Sequence, residues 1–174
     1  ITEVPPGGGV SVDPFSVEFI QLAHSVPQTQ ALVIDTPAGR VLHASDWKLD
    51  PEPLLGPPTD EQGLRAAGKK GLVAMMCDST NVFVDGHTGS EGPLRKSLAD
   101  IVAVQTGRVV VTLFASNVAR MESAIKAGVA AGRSVCLVGR SLFRIFEIAR
   151  ECGYLEDCPE FVDSRDVGHL PREN

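Results

Sequence analysis

From Leu72 onward three short strand-like runs each end in a cluster of polar residues, and this recurrence, in a chain without an internal sequence repeat, limits the fold more than any other feature. Leu72 to Cys77 leads into Asp78-Ser79-Thr80-Asn81, Arg108 to Phe114 into Ser116-Asn117, and Ser134 to Val138 into Gly139-Arg140-Ser141. The first run is wholly apolar, the mark of a central strand covered on both faces, and the second reads as another buried strand. Helices are expected between and after them. One begins at Ser90 and runs through Val104 with Leu94, Leu98, Ile101 and Val102 on one stripe, and a second is capped by Ser116-Asn117 and runs to about Ala131. A third opens at Ser141 and is ended by Gly153. Such alternation implies parallel strands and, from about Val82 onward, an α/β fold of the doubly wound type.

The residues before this region follow another rule. Phe15 to Ala23 alternates apolar and polar side chains as a half-buried strand does, and His24 falls just past its end. Ala31 to Asp35 is a second strand, closed by the Thr36-Pro37-Ala38-Gly39 turn, with Arg40 to Ala44 as its hairpin partner and Ser45 and Asp46 at the exit. Pro51 to Pro58 is loop, and Thr59-Asp60-Glu61-Gln62 offers caps for a short helix to Ala67. Two sub-architectures, mostly antiparallel and then mainly parallel, therefore meet near Cys77.

Composition narrows the function. With 43% hydrophobic residues a real core is available, while only 5% aromatics suit layered packing of small aliphatics. A net charge of −6 argues against a surface that attracts nucleic acid everywhere, although Lys and Arg are concentrated from Arg65 onward and allow a local basic groove. Cys77, Cys136, Cys152 and Cys158 form no Cys-x-x-Cys pair, and Cys77 and Cys136 read as buried strand residues; reduced thiols and a cytoplasmic location are expected. No apolar run approaches the ~20 residues that span a bilayer, so no membrane partner is expected. The chain starts at Ile1 without Met, which reads as a segment of something longer.

In open α/β sheets ligands sit beyond the carboxyl ends of strands. His24 and Asp46 lie at the ends of two neighbouring strands and form a plausible pair of metal ligands, since imidazole nitrogen and carboxylate oxygen both suit zinc; a boundary His and a turn Asp are the plainer reading. Ser116-Asn117-x-x-Arg120 and Gly139-Arg140-Ser141 each place hydroxyls, free N–H groups and a guanidinium at a helix start, the chemistry of a phosphate site, with simple capping as the alternative. His43, His87 and His169 are read as structural or solvated, and no Gly-x-Gly-x-x-Gly or Walker loop is present.

In order along the chain, His24-Ser25-Val26-Pro27, Ala44-Ser45-Asp46-Trp47-Lys48, Asp78-Ser79-Thr80-Asn81, Phe114-Ala115-Ser116-Asn117-x-x-Arg120, Gly139-Arg140-Ser141 and Gly153-Tyr154-Leu155 resemble the motifs of ribonuclease J, a metallo-β-lactamase fold carrying a β-CASP domain. The resemblance covers nearly the whole chain. It implies that residues 1–77 are part of a metallo-β-lactamase core and residues 78–174 an incomplete, doubly wound β-CASP domain. It also implies that His24 and Asp46 are ligands of a two-zinc centre, Asp46 bridging the ions, and that Asp78 is a catalytic acid beside them. Ser79, Ser90, Ser116, Asn117, Arg120, Arg140 and Ser141 would line an RNA channel and hold phosphates.

The function implied by the resemblance is that of a zinc-dependent ribonuclease, acting as a 5′-3′ exonuclease, an endonuclease or both, and forming a homo-oligomer. There are departures. Gln28 stands where the family often has Asp, Ser45 replaces a Gly, and the His-x-His-x-Asp-His motif, the later β-CASP histidines and the C-terminal metal His are absent. Two ligands cannot hold two zinc ions, so the segment alone is expected to be inactive and not to bind zinc stably. Two other readings stay open: a hydrolase of this fold acting on DNA or another phosphoester, and a non-catalytic α/β module that binds a nucleotide, RNA or a protein through Val135 to Ser141.

Overall fold

The computed structural model describes residues 1–173. In chain order the elements are β1 (Gly9–Val12), β2 (Phe15–Gln21), β3 (Gln30–Thr36), β4 (Gly39–Ala44), α1 (Glu61–Lys69), β5 (Ala74–Cys77), α2 (Glu91–Ala103), α3 (Val118–Ala130), α4 (Arg140–Glu151) and a 3-10 turn at Val167–His169. They divide into two compact units, Ile1–Gly89 and Ser90–Asn174.

The first unit is a mixed sheet of five strands in the order β1-β2-β3-β4-β5, antiparallel until the last pair, where β5 runs parallel to β4. Period-two alternation sets its register. Ile20 lies opposite Ala31 and Val33 opposite Leu42, so all four share one face, which α1 covers with Ala67 and the partly buried Leu64. Asp60 caps α1 by accepting from the Gly63 amide at 2.9 Å. Gly39 turns the β3–β4 hairpin with φ of +133°, and a Cβ there would lie 2.6 Å from Val73, so glycine is required twice over.

β1 was not expected: it starts at Gly9, the last residue of Pro5-Pro6-Gly7-Gly8-Gly9, a run that reads as a flexible lead. Its ladder to β2, from Gly9 opposite Glu18 to Val12 opposite Phe15, adds an edge strand whose side chains stay largely in water. The expectation for Leu72 to Cys77 needs a larger correction. β5 is shorter, sits at the edge of the sheet, and every one of its side chains is exposed, Cys77 included. An apolar run reports low polarity but not whether a strand has neighbours on both sides.

The second unit is built on α2, α3 and α4. Val102, Val118, Met121, Ile125, Phe146 and Ala149 are buried there, and Phe146 meets Phe161 edge to face with ring centroids 4.8 Å apart. Gly153, at φ of +80°, ends α4 as expected, its amide bonded to the Arg150 carbonyl at 3.0 Å. Among the described residues the expected doubly wound parallel sheet is not seen: residues 108–114 and 134–138 belong to no strand ladder. Their apolar side chains, among them Val109, Leu113, Val135 and Leu137, line a cavity of about 370 Å³. The second run is tied to the chain beyond α4 by the Val162 amide, which donates to the Val135 carbonyl at 2.9 Å. The observed class is therefore α/β with one mixed five-stranded sheet.

Candidate functional site

Three of the residues singled out in the sequence come to one end of the first unit's sheet, and backbone bonds put them there. Ala44 and Cys77 are register partners at the ends of β4 and β5, and the ladder is prolonged by the Asp78 amide, which donates to the Ser45 carbonyl at 3.1 Å. Asp78 thereby leaves β5 beside Ser45-Asp46. On the other flank Ala23 bridges to Lys48, and Thr59 ties the two together: its hydroxyl donates to the Lys48 carbonyl at 2.7 Å and accepts from the Ala23 amide at 2.8 Å. His24 is the next residue along.

Two residues after Asp46 hold the loop that starts at Asp78. The indole N–H of Trp47 donates to the Asp78 carbonyl at 3.1 Å, and Lys48 Nζ donates to the Gly89 carbonyl at 2.7 Å while pairing with Asp50 at 3.3 Å. Asp50 is almost wholly buried, so this ammonium is fixed from both sides. Trp47, Lys48 and Thr59 were not singled out as functional, although Trp47-Lys48 stands within the motif around Asp46.

The side chains are poised differently. His24 is half-buried and its Nδ1 lies 3.1 Å from the Ser25 hydroxyl, whereas Asp46, Asp78 and Ser79 are exposed. Asp78 accepts from both the amide (3.0 Å) and the hydroxyl of Thr80. These bonds, the hydroxyl first, hold its carboxyl below the usual value, and the nearby His24 adds to the effect. Among the described residues, no three or more His, Cys, Asp or Glu side chains gather closely enough to hold a metal ion. The donors of this chain thus do not by themselves fit a two-zinc centre, which needs several ligands on each ion.

The remaining candidates belong to the second unit. Asn117 is the N-cap of α3, its side-chain oxygen accepting from the Arg120 amide at 2.9 Å, so capping is realised at this segment. Arg120 is engaged as well: Nε and Nη2 donate to the two carboxylate oxygens of Glu91 at 2.9 and 2.7 Å. Glu91 was overlooked, its position directly after Ser90 being the only signal in the sequence. Ser90 is the N-cap of α2, and Ser116 is exposed at the turn before α3. At α4 the N-cap is Gly139, in a left-handed conformation (φ +111°) that L side chains resist, and no side chain caps the helix start. Arg140 and Ser141, both exposed, lie in that first turn. His43, His87 and His169 are exposed.

A family model described as the ribonuclease J β-CASP domain matches residues 106–174. Over 99% of its length the chain is 44% identical to ribonuclease J of Sinorhizobium meliloti. The chain is similar to a segment of ribonuclease J. Ribonuclease J of Corynebacterium glutamicum is 43% identical over 82% of the chain, and that of Thermus thermophilus 34% identical over 98%. The chain spans 31%, 20% and 30% of these three relatives' own lengths. In three dimensions it is similar to a crystal structure of a protein of unknown function from Enterococcus faecalis, with a TM-score of 0.61, 16% identity, and coverage of 98% of this chain and 40% of the other; that likeness concerns the fold alone.

Proposed function

We propose that the protein carrying this sequence is a ribonuclease that hydrolyses RNA phosphodiesters, in 5′-3′ exonucleolytic mode, endonucleolytic mode or both. The observation that carries the reading is the 44% identity to a ribonuclease J along 99% of the chain. In this reading residues 1–77 are part of a metallo-β-lactamase domain and residues 78–174 part of a β-CASP domain. His24 and Asp46 are two ligands of a zinc pair whose other donors come from polypeptide outside this chain, and Asp78 is the acid beside them. The convergence of these residues at one sheet end supports it.

Ser79, Ser90, Ser116, Asn117, Arg120, Arg140 and Ser141 hold phosphates. The uncapped start of α4 supports the assignment, because its amide N–H groups and Arg140 together suit an anion. The chain by itself cleaves nothing, having too few donors, and the complete protein is a cytoplasmic homo-oligomer. Among the described residues no helix is long and apolar enough to cross a membrane. The test supplies the complete protein and this chain separately with 5′-monophosphorylated RNA, DNA and a small phosphodiester, with zinc or manganese. Chelator-sensitive cleavage of RNA by the complete protein alone is expected. Robust cleavage by the chain, or a preference for either other substrate, contradicts the reading.

A further inference from the structure

Resting on the reading of Arg120 as a phosphate ligand, we infer that Glu91 is the residue that positions it. The guanidinium is gripped along its Nε–Nη2 side by both carboxylate oxygens, at 2.9 and 2.7 Å, in a pair whose side chains are only 31% and 19% exposed. A bidentate grip of this kind removes the swing of a long side chain and is costly to open where water is partly excluded. What it leaves is the other end of the fork, with the Nη1 hydrogens and the remaining Nη2 hydrogen, as a fixed donor pair for one phosphate. Glu91 stands in the first turn of α2 and Arg120 in the first turn of α3, so the pair also sets how these two helix starts adjoin. The carboxylate is therefore an orienting partner, not a rival to the phosphate.

The two roles differ in sign. A rival or a merely repulsive charge predicts that Glu91→Ala tightens RNA binding, since the variant gains one unit of positive charge. An orienting partner predicts weaker binding in spite of that gain. The experiment measures the 174-residue chain with a fluorescein-labelled, 5′-phosphorylated single-stranded oligoribonucleotide by anisotropy over a range of salt. Glu91→Ala is expected to weaken binding about ten-fold, the scale of one charge-assisted hydrogen bond. Glu91→Gln, which keeps one acceptor oxygen, is expected to lose less and serves if the alanine variant does not fold.

In the Arg120→Ala background, Glu91→Ala should weaken binding no further, only its gain in positive charge remaining. Arg95→Gln breaks another tie between α2 and α3, to Glu122 and to the buried Ser123, and is expected to cost binding far less than Glu91→Ala, no more than the loss of one charge. Tighter or unchanged binding in Glu91→Ala, or an equal loss in Arg95→Gln, overturns the inference. No binding by the unaltered chain, or none lost in Arg120→Ala, overturns instead the reading of Arg120 on which it rests.

Discussion

The Asp78 carboxylate sits where β5 ends and accepts from the hydroxyl and amide of Thr80, and for that reason first its pKa lies below the ordinary value. A lowered pKa means folding favours the anion. Its contribution is present above the ordinary carboxylate value and is lost as pH falls through the lower folded value. Thr80→Val keeps the amide and removes the hydroxyl, so the Asp78 midpoint should move up toward the ordinary value in a carboxyl 13C NMR titration; an unmoved midpoint contradicts the assigned cause. Arg120 carries the second prediction at this scale. In the complete protein Arg120→Ala should weaken RNA binding and reduce the salt slope by about 1, as loss of one phosphate contact does, and unchanged binding and slope would remove it from the channel. The placement of His24, Asp46 and Asp78 at the end of the sheet was legible in the sequence because each follows a strand. Trp47, Lys48, Thr59 and Glu91 were not, because what they do depends on partners 11 to 41 positions away.

At the scale of elements, helices were read more closely than strands, and the reason is local. A helix carries its own hydrogen bonds and announces its ends: Asp60 and Asn117 at starts, Gly153 just past an end. A strand needs partners that its own residues do not specify. β3 and β4 were legible because one four-residue turn joins them, whereas β5 lies at an edge that its apolar run does not reveal, and residues 108–114 and 134–138 face a cavity with no ladder. Asn117→Ala removes the α3 cap and should cost about 1 kcal/mol in urea unfolding. Asn117→Ser should recover most of it. Because Asn117 is also assigned to RNA, a serine variant that regains stability but not binding would separate the two duties, and no stability change in the alanine variant would contradict the cap.

The first unit's core depends on few side chains. Leu22 is 1% exposed at the end of the face shared by Ile20, Ala31, Val33 and Leu42, and Leu22→Ala should cost roughly 2–5 kcal/mol, measured by urea unfolding. A loss below that range would mean the site collapses around the gap. The same residue lies two positions before His24, so core and candidate site share a backbone path, which is why a sheet-end His and Asp could be placed from sequence while the full donor set could not. One measurement bears most directly on that set: zinc content and RNA cleavage of the complete protein beside its Asp46→Ala variant. The account predicts that the unaltered protein holds zinc and cleaves RNA, and that the variant loses both together. A variant that keeps its metal and its activity would contradict the assignment of this sheet end as part of the metal centre.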